Sequence, residues 1–134
     1  MISLQNNNPR ILVIGDLMID HYLWGSSERI SPEAPVPIVN VSNQSKVLGG
    51  AGNVINNLKT LGAQVEVISV IGECEVSTEL KKLLSSINID TNSLIVEKER
   101  ILSKKTRIIA AHQQVVRYDQ ENSEDIDEIS QKAI

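Results

Sequence analysis

An α/β fold, a parallel sheet flanked by helices, is predicted by three features of the sequence. An aliphatic, β-branched run at residues 11–14 stops at Gly15-Asp16, and a second at 65–71 closes at Gly72. Between them Val54, Ile55, Leu58 and Leu61 recur at helical spacing. This strand, helix, strand order implies a right-handed parallel crossover. The first run reads as a strand buried on both faces.

The elements follow in order. After the first strand, residues 20–25 alternate apolar and polar, a passage rich in proline (Pro32, Pro35, Pro37) follows, and residues 36–41 form a second extended piece. Proline cannot donate to a sheet ladder, so both pieces belong at an edge or in a separate small layer. Gly49-Gly50-Ala51-Gly52-Asn53 marks the passage into the helix, where glycines permit close backbone approach and the helix start offers N–H groups to hydroxyl or phosphate oxygens. Gly62 stands where that helix would end in the left-handed conformation. A second helix is marked by Val76, Leu80, Leu83, Leu84 and Ile87, and a strand at 93–96 follows it. Residues 105–119 read as a β-hairpin with arms at 106–110 and 115–119 around a turn at His112 and Gln113. Last, Ile126, Ile129 and Ala133 share a helical face, with the acidic residues from Glu121 to Glu128 as a solvated connection and helix start. The chain reaches Ile134 without a closing cap or partner strand, and it reads as one truncated domain over residues 1–134.

Composition narrows the function classes. The 134 residues suffice for one domain or part of a larger one, and the net charge of −4 argues against a general nucleic-acid or anionic-membrane surface. A single cysteine, Cys74, excludes a disulfide framework and reads as a small packed hydrophobe. Asn6, Asn7, Asn8 and Pro9 stand where a signal peptide would need an apolar run, and no stretch reaches membrane-spanning length, so a soluble cytoplasmic protein is expected. Aromatic residues are limited to Tyr22, Trp24 and Tyr118, too few for a base-stacking platform.

Several residues could carry chemistry. Asp16 and Asp20 lie at or beyond the C-terminal end of the first strand, where open α/β sheets place ligands, though turn aspartates that bond local backbone would look the same. Asn53 suits a ligand role through its amide, or an ordinary N-cap role. Arg107 and Arg117 fall on the two arms of the hairpin and could meet an anion on one face; as isolated residues they read more readily as solvated arginines on an exposed strand face. His21 and His112 lack partners at metal-ligand spacing. The glycine run is neither a P-loop, since no Gly-Lys-Ser/Thr follows, nor a dinucleotide fingerprint, since Ile55 replaces the third glycine. No nucleophile with its base is evident.

Taken together the motifs resemble the ribokinase-like (PfkB) carbohydrate kinases, and among them the heptose 7-phosphate kinases of bacterial ADP-heptose and lipopolysaccharide core biosynthesis. The resemblance rests on Gly15-Asp16-Leu17-Met18-Ile19-Asp20, on Arg29-Ile30-Ser31-Pro32-Glu33-Ala34-Pro35-Val36-Pro37, and on Gly49-Gly50-Ala51-Gly52-Asn53-Val54. Lys105 and Arg107, with the run from Gln113 to Asp119, match the lid hairpin. It implies a sheet flanked by helices with a small β lid from segments about 20–46 and 104–119, and a homodimer through that lid. By the same likeness Asp20 binds sugar hydroxyls, Gly49, Gly50 and Asn53 form the sugar-facing loop, and Asp16, Arg107 and Arg117 contact the rest of the sugar phosphate. Members of the family use ATP and Mg²⁺, and their catalytic base lies in a C-terminal half that this sequence does not include, so the chain alone is expected to be inactive. Gly52 stands where heptose kinases commonly carry alanine, and Ser77 where glycine is usual. Other readings are a ribokinase- or fructokinase-type sugar kinase, a non-catalytic sugar-binding or dimerisation module, or a dinucleotide enzyme with a degraded fingerprint.

Overall fold

The computed structural model describes residues 8–134; Asn6 and Asn7 lie outside the described residues. Strands β1 (Arg10–Ile14), β4 (Gln64–Gly72) and β5 (Leu94–Glu97) form a parallel sheet in the order β1-β4-β5. Strands β2 (Leu17–Ile30), β3 (Pro37–Gly50), β6 (Ser103–Ala110) and β7 (Gln113–Gln120) form a second sheet in the order β3-β2-β6-β7, in which only the β2–β6 pairing is parallel. Helices α1 (Ala51–Thr60), α2 (Glu75–Ser86) and α3 (Glu128–Ala133) complete the fold.

Alternation along β4 decides where the core lies. Val65, Val67 and Ile71 turn inward and join Ile55 and Leu58 of α1, Leu80 and Leu84 of α2, and Ile11 and Val13 of β1 in one apolar cluster. Ile55 is completely enclosed, a burial that contributes roughly 1.5–3 kcal/mol. Val54 and Leu61, which share its apolar spacing, stay exposed because α1 turns only part of its stripe to the sheet. Gly62 takes the left-handed conformation after α1, as its position predicts, with φ +90°.

Both helices that contribute to the cluster cover the same face of the parallel sheet. The opposite face is open: Leu12 is 50% and Ile14 57% exposed. The expectation that β1 is buried on both faces is therefore corrected. An all-apolar run reveals parallel pairing and says nothing of which elements cover its faces.

The extended pieces are longer than their patterns suggest. Residues 20–25 and 36–41 lie inside two 14-residue strands, and β3 runs unbroken to Gly50, so Gly49 is a strand residue. Much of this ribbon is exposed, and a strand wet on both faces carries no alternation to read. The prolines fall where expected: Pro32 and Pro35 lie in the connection between the strands, and Pro37 opens β3 at the sheet edge.

The hairpin turn is Ala111-His112, one residue earlier than predicted, and Gln113 already belongs to β7. Both turn residues have positive φ, 49° and 64°. Such a two-residue turn favours Asn-Gly, and an L-residue with a Cβ costs about 1 kcal/mol or more there. Ala111→Asn with His112→Gly is expected to raise stability by about 1 kcal/mol. A thermal midpoint unchanged or lowered would contradict the assigned turn.

Leu17, Ile19 and Leu48 join the four-stranded sheet to the core of the α/β body, and an ion pair of Lys46 on β3 with Glu79 on α2, whose side chains are 30% and 31% exposed, adds a polar link. The Lys46 ammonium holds the Glu79 carboxyl below its ordinary value of 4.5, with Lys104 and His21 adding to the effect. A carboxyl depressed on folding contributes stability that is complete above its unfolded value and is lost as pH falls through the folded one. The thermal midpoints of wild type and Glu79→Gln should therefore differ at neutral pH and converge as pH falls below 4.5. A constant difference down to strong acid would refute this role of the pair.

Candidate functional site

Strand pairing assembles the site. Asp20 and Tyr22 on β2 stand beside Lys105 and Arg107 on β6, which in turn face Asp119 and Arg117 on β7. Partners in register share a face of the sheet, so all six side chains project from one side. Arg107 Nη1 donates to Asp20 Oδ1 across 87 residues of sequence. The Arg107 guanidinium also lies 5.3 Å from the centre of the Tyr22 ring, a cation–π contact, and Tyr22 stacks on Trp24 at 5.5 Å. Bonding to the Asp20 carboxylate keeps Arg107 charged further above its ordinary value.

A second set of charges continues the row. Arg117 Nε lies 3.1 Å from Asp119 Oδ1, and Lys105 Nζ donates to Asp119 Oδ2 and to Glu121 Oε2, each at 3.2 Å. Arg107 and Arg117 stand directly opposite, an arrangement of like charges that destabilises unless compensated. Each is compensated by its own carboxylate. Both guanidinium groups therefore lie on one face of the sheet, and a guanidinium fork suits bidentate recognition of an oxyanion.

Gly49 is required beneath Asp20 for steric reasons. A Cβ there would lie 2.5 Å from Asp20 Oδ2 and 2.8 Å from Met18 Cγ. Gly50 is required for conformational reasons as well, since its φ is +56° and a Cβ would approach the Asp16 carbonyl oxygen to 2.6 Å. That carbonyl accepts from Ala51 N at 2.9 Å and fixes the start of α1. The N-cap is Gly50, with no side-chain cap, so Asn53 does not cap the helix.

The remaining predicted residues disperse. Exposed Asp16 lines a cleft of about 210 Å³ with Val70, Arg100, Ser103 and Glu121. Glu121 also pairs with Lys105, so the cleft adjoins the charged row. Asn53 borders a different groove, with Lys46, Asn56, Leu83 and Ser86, and is not among the contacts of Asp20. Tyr22 and Asp119 were not singled out from sequence as site residues. Their signal was a spacing of two from Asp20 and from Arg117, which is one strand face.

A model described as the pfkB family of carbohydrate kinases matches residues 8–133. The chain belongs to this family. Among curated proteins it is 65% identical to the bifunctional protein HldE of Aliarcobacter butzleri, over 96% of this chain and 27% of that protein. It is 56% identical to HldE of Sulfurimonas denitrificans, over 100% of this chain and 28% of that protein. The chain therefore spans about a quarter of the length of these relatives, and matches their N-terminal portion. Among solved structures, a carbohydrate kinase from Agrobacterium tumefaciens superposes with a TM-score of 0.67 at 21% identity, over 84% of this chain and 35% of that one. A ribokinase from Cryptococcus neoformans, solved in complex with ADP, gives 0.56 at 23% identity, over 85% and 34%. The ribokinase-like α/β fold expected of a pfkB carbohydrate kinase is thus present, as a partial fold.

Proposed function

We propose that the protein to which this chain belongs is an ATP-dependent kinase that phosphorylates the anomeric hydroxyl of D-glycero-D-manno-heptose 7-phosphate, in ADP-heptose and lipopolysaccharide core biosynthesis in the cytoplasm. This chain supplies the acceptor-sugar part of the site. The observation that carries the reading is Asp20, held by Arg107 above Gly49, with Arg117 opposite. A carboxylate accepts hydrogen bonds from sugar hydroxyls, and Gly49 leaves the room that this carboxylate occupies. The two guanidinium groups bind the phosphate already on the sugar, a group that ribose-type acceptors lack. Asp16 borders the adjoining cleft and contacts the remainder of the sugar, while Gly50 shapes the backbone at the start of α1.

ATP and Mg²⁺ enter this reading through the family. Among the described residues no group of three or more His, Cys, Asp or Glu side chains is arranged to hold a metal ion, and no step is assigned to either cofactor on this chain. Among the same residues no helix is long and apolar enough to cross a membrane.

The four-stranded sheet serves as the lid over the sugar, and its exposed edge β7, with Val115, Val116 and Tyr118 open to solvent, pairs with a second copy. The test is turnover by the complete protein of heptose 7-phosphate against ribose, fructose 6-phosphate and adenosine. Preference for any of the last three would sink the substrate assignment. Sedimentation as a monomer would sink the dimer, and turnover by the isolated 134-residue chain would sink its role as an acceptor-binding part only.

A further inference from the structure

The face of the lid opposite the charged row carries a second polar cluster that the proposed sugar site does not use. Lys46 on β3, His21 on β2 and Thr106 on β6 are register partners in one row across three strands. His21 Nε2 meets Gln44 Oε1 at 3.0 Å, and His21 and Thr106 are buried. His21 Nδ1 and Thr106 Oγ1 have no hydrogen-bond partner among the described residues. The row turns toward α2, where Lys46 pairs with Glu79.

Lys46 of this row therefore meets a carboxylate on the body of the domain. The backbone of this row is shared with the sugar side: Asp20 directly precedes His21, and Arg107 directly follows Thr106. Successive residues of a strand point to opposite faces, so a tilt of the row on α2 moves Asp20 and Arg107 on the other side. A sugar site is sensitive to such movement, because catalysis depends on position to within about 1 Å.

We infer that Glu79, acting through Lys46, is the anchor that fixes the pitch of the lid over the acceptor sugar. It is a positioning residue, and its effect on turnover rests on the kinase reading above. In the complete protein, Glu79→Gln and Lys46→Met are each expected to raise KM for the sugar phosphate about three- to tenfold, with kcat and KM for ATP changed less than about twofold. The exchanged pair Lys46→Glu with Glu79→Lys should recover most of that loss. Hydrogen exchange supplies a readout independent of activity: Glu79→Gln should speed exchange of the β2 and β3 amides around His21 and Lys46 while leaving β1 and β4 protected.

Unchanged KM in both single variants, or kcat and thermal stability falling together with no separate change in KM, would overturn the anchor. So would unaltered exchange in β2 and β3. If the wild-type protein turns over no sugar phosphate, the kinase reading fails by itself, and the exchange measurement still decides whether Glu79 holds the lid.

Discussion

Asp20→Asn in the complete protein is expected to lower kcat/KM for the acceptor sugar phosphate by about 30- to 100-fold. An asparagine keeps the shape but removes the charge, and a hydrogen bond to a charged group is worth about 1.5–3 kcal/mol. The same change leaves the Arg107 guanidinium without its carboxylate, although its stacking on Tyr22 remains. Because the paired side chains are only 22% and 19% exposed, stability should also fall, by about 1 kcal/mol. Steady-state kinetics beside a thermal melt separates the two effects. A kcat/KM within threefold of wild type would remove Asp20 from the sugar site.

Gly49→Ala is expected to damage the site by a different route. The added methyl would fall 2.5 Å from Asp20 Oδ2 and 3.1 Å from Asp20 Cγ, so the carboxylate must leave its position against Arg107. Met18 Cγ at 2.8 Å closes another way out. Overpacking of this kind costs about 1–3 kcal/mol, and the displaced Asp20 should lower kcat/KM about tenfold or more. Gly62→Ala is the matched control. No heavy atom lies within 4 Å of a Cβ at Gly62, and only its φ of +90° opposes substitution. That variant should lose about 1 kcal/mol of stability and keep its activity. If Gly49→Ala retains full activity, the Asp20 carboxylate is not confined as described.

Gly62 could be read from sequence because the end of an amphipathic helix is a local pattern. Gly49 could be marked as a place of close approach, but not assigned to a strand or matched to the atom it accommodates. The hairpin was visible from its two apolar arms, and its turn was misplaced by one residue because Ala111-His112 carries none of the Asn or Gly chemistry that such a turn usually shows. Lys46 and Glu79 gave no signal at all, since each alone is an ordinary surface charge.

By itself the sequence determined the α/β order of β1, α1, β4, α2 and β5, the place of the proline-flanked extended pieces at an edge or in a separate small layer, and the motifs that belong to the pfkB family. These rest on periodicity, turn chemistry and short ordered runs, all local along the chain. Only the tertiary structure decided that Asp20 meets Arg107, that Arg117 stands opposite, that Asn53 borders another groove, and that Lys46 pairs with Glu79. The parallel pairing of β2 with β6 brings together residues far apart in sequence, and that register is fixed by burying Leu17, Ile19 and Thr106, not by any pattern around the charged residues themselves.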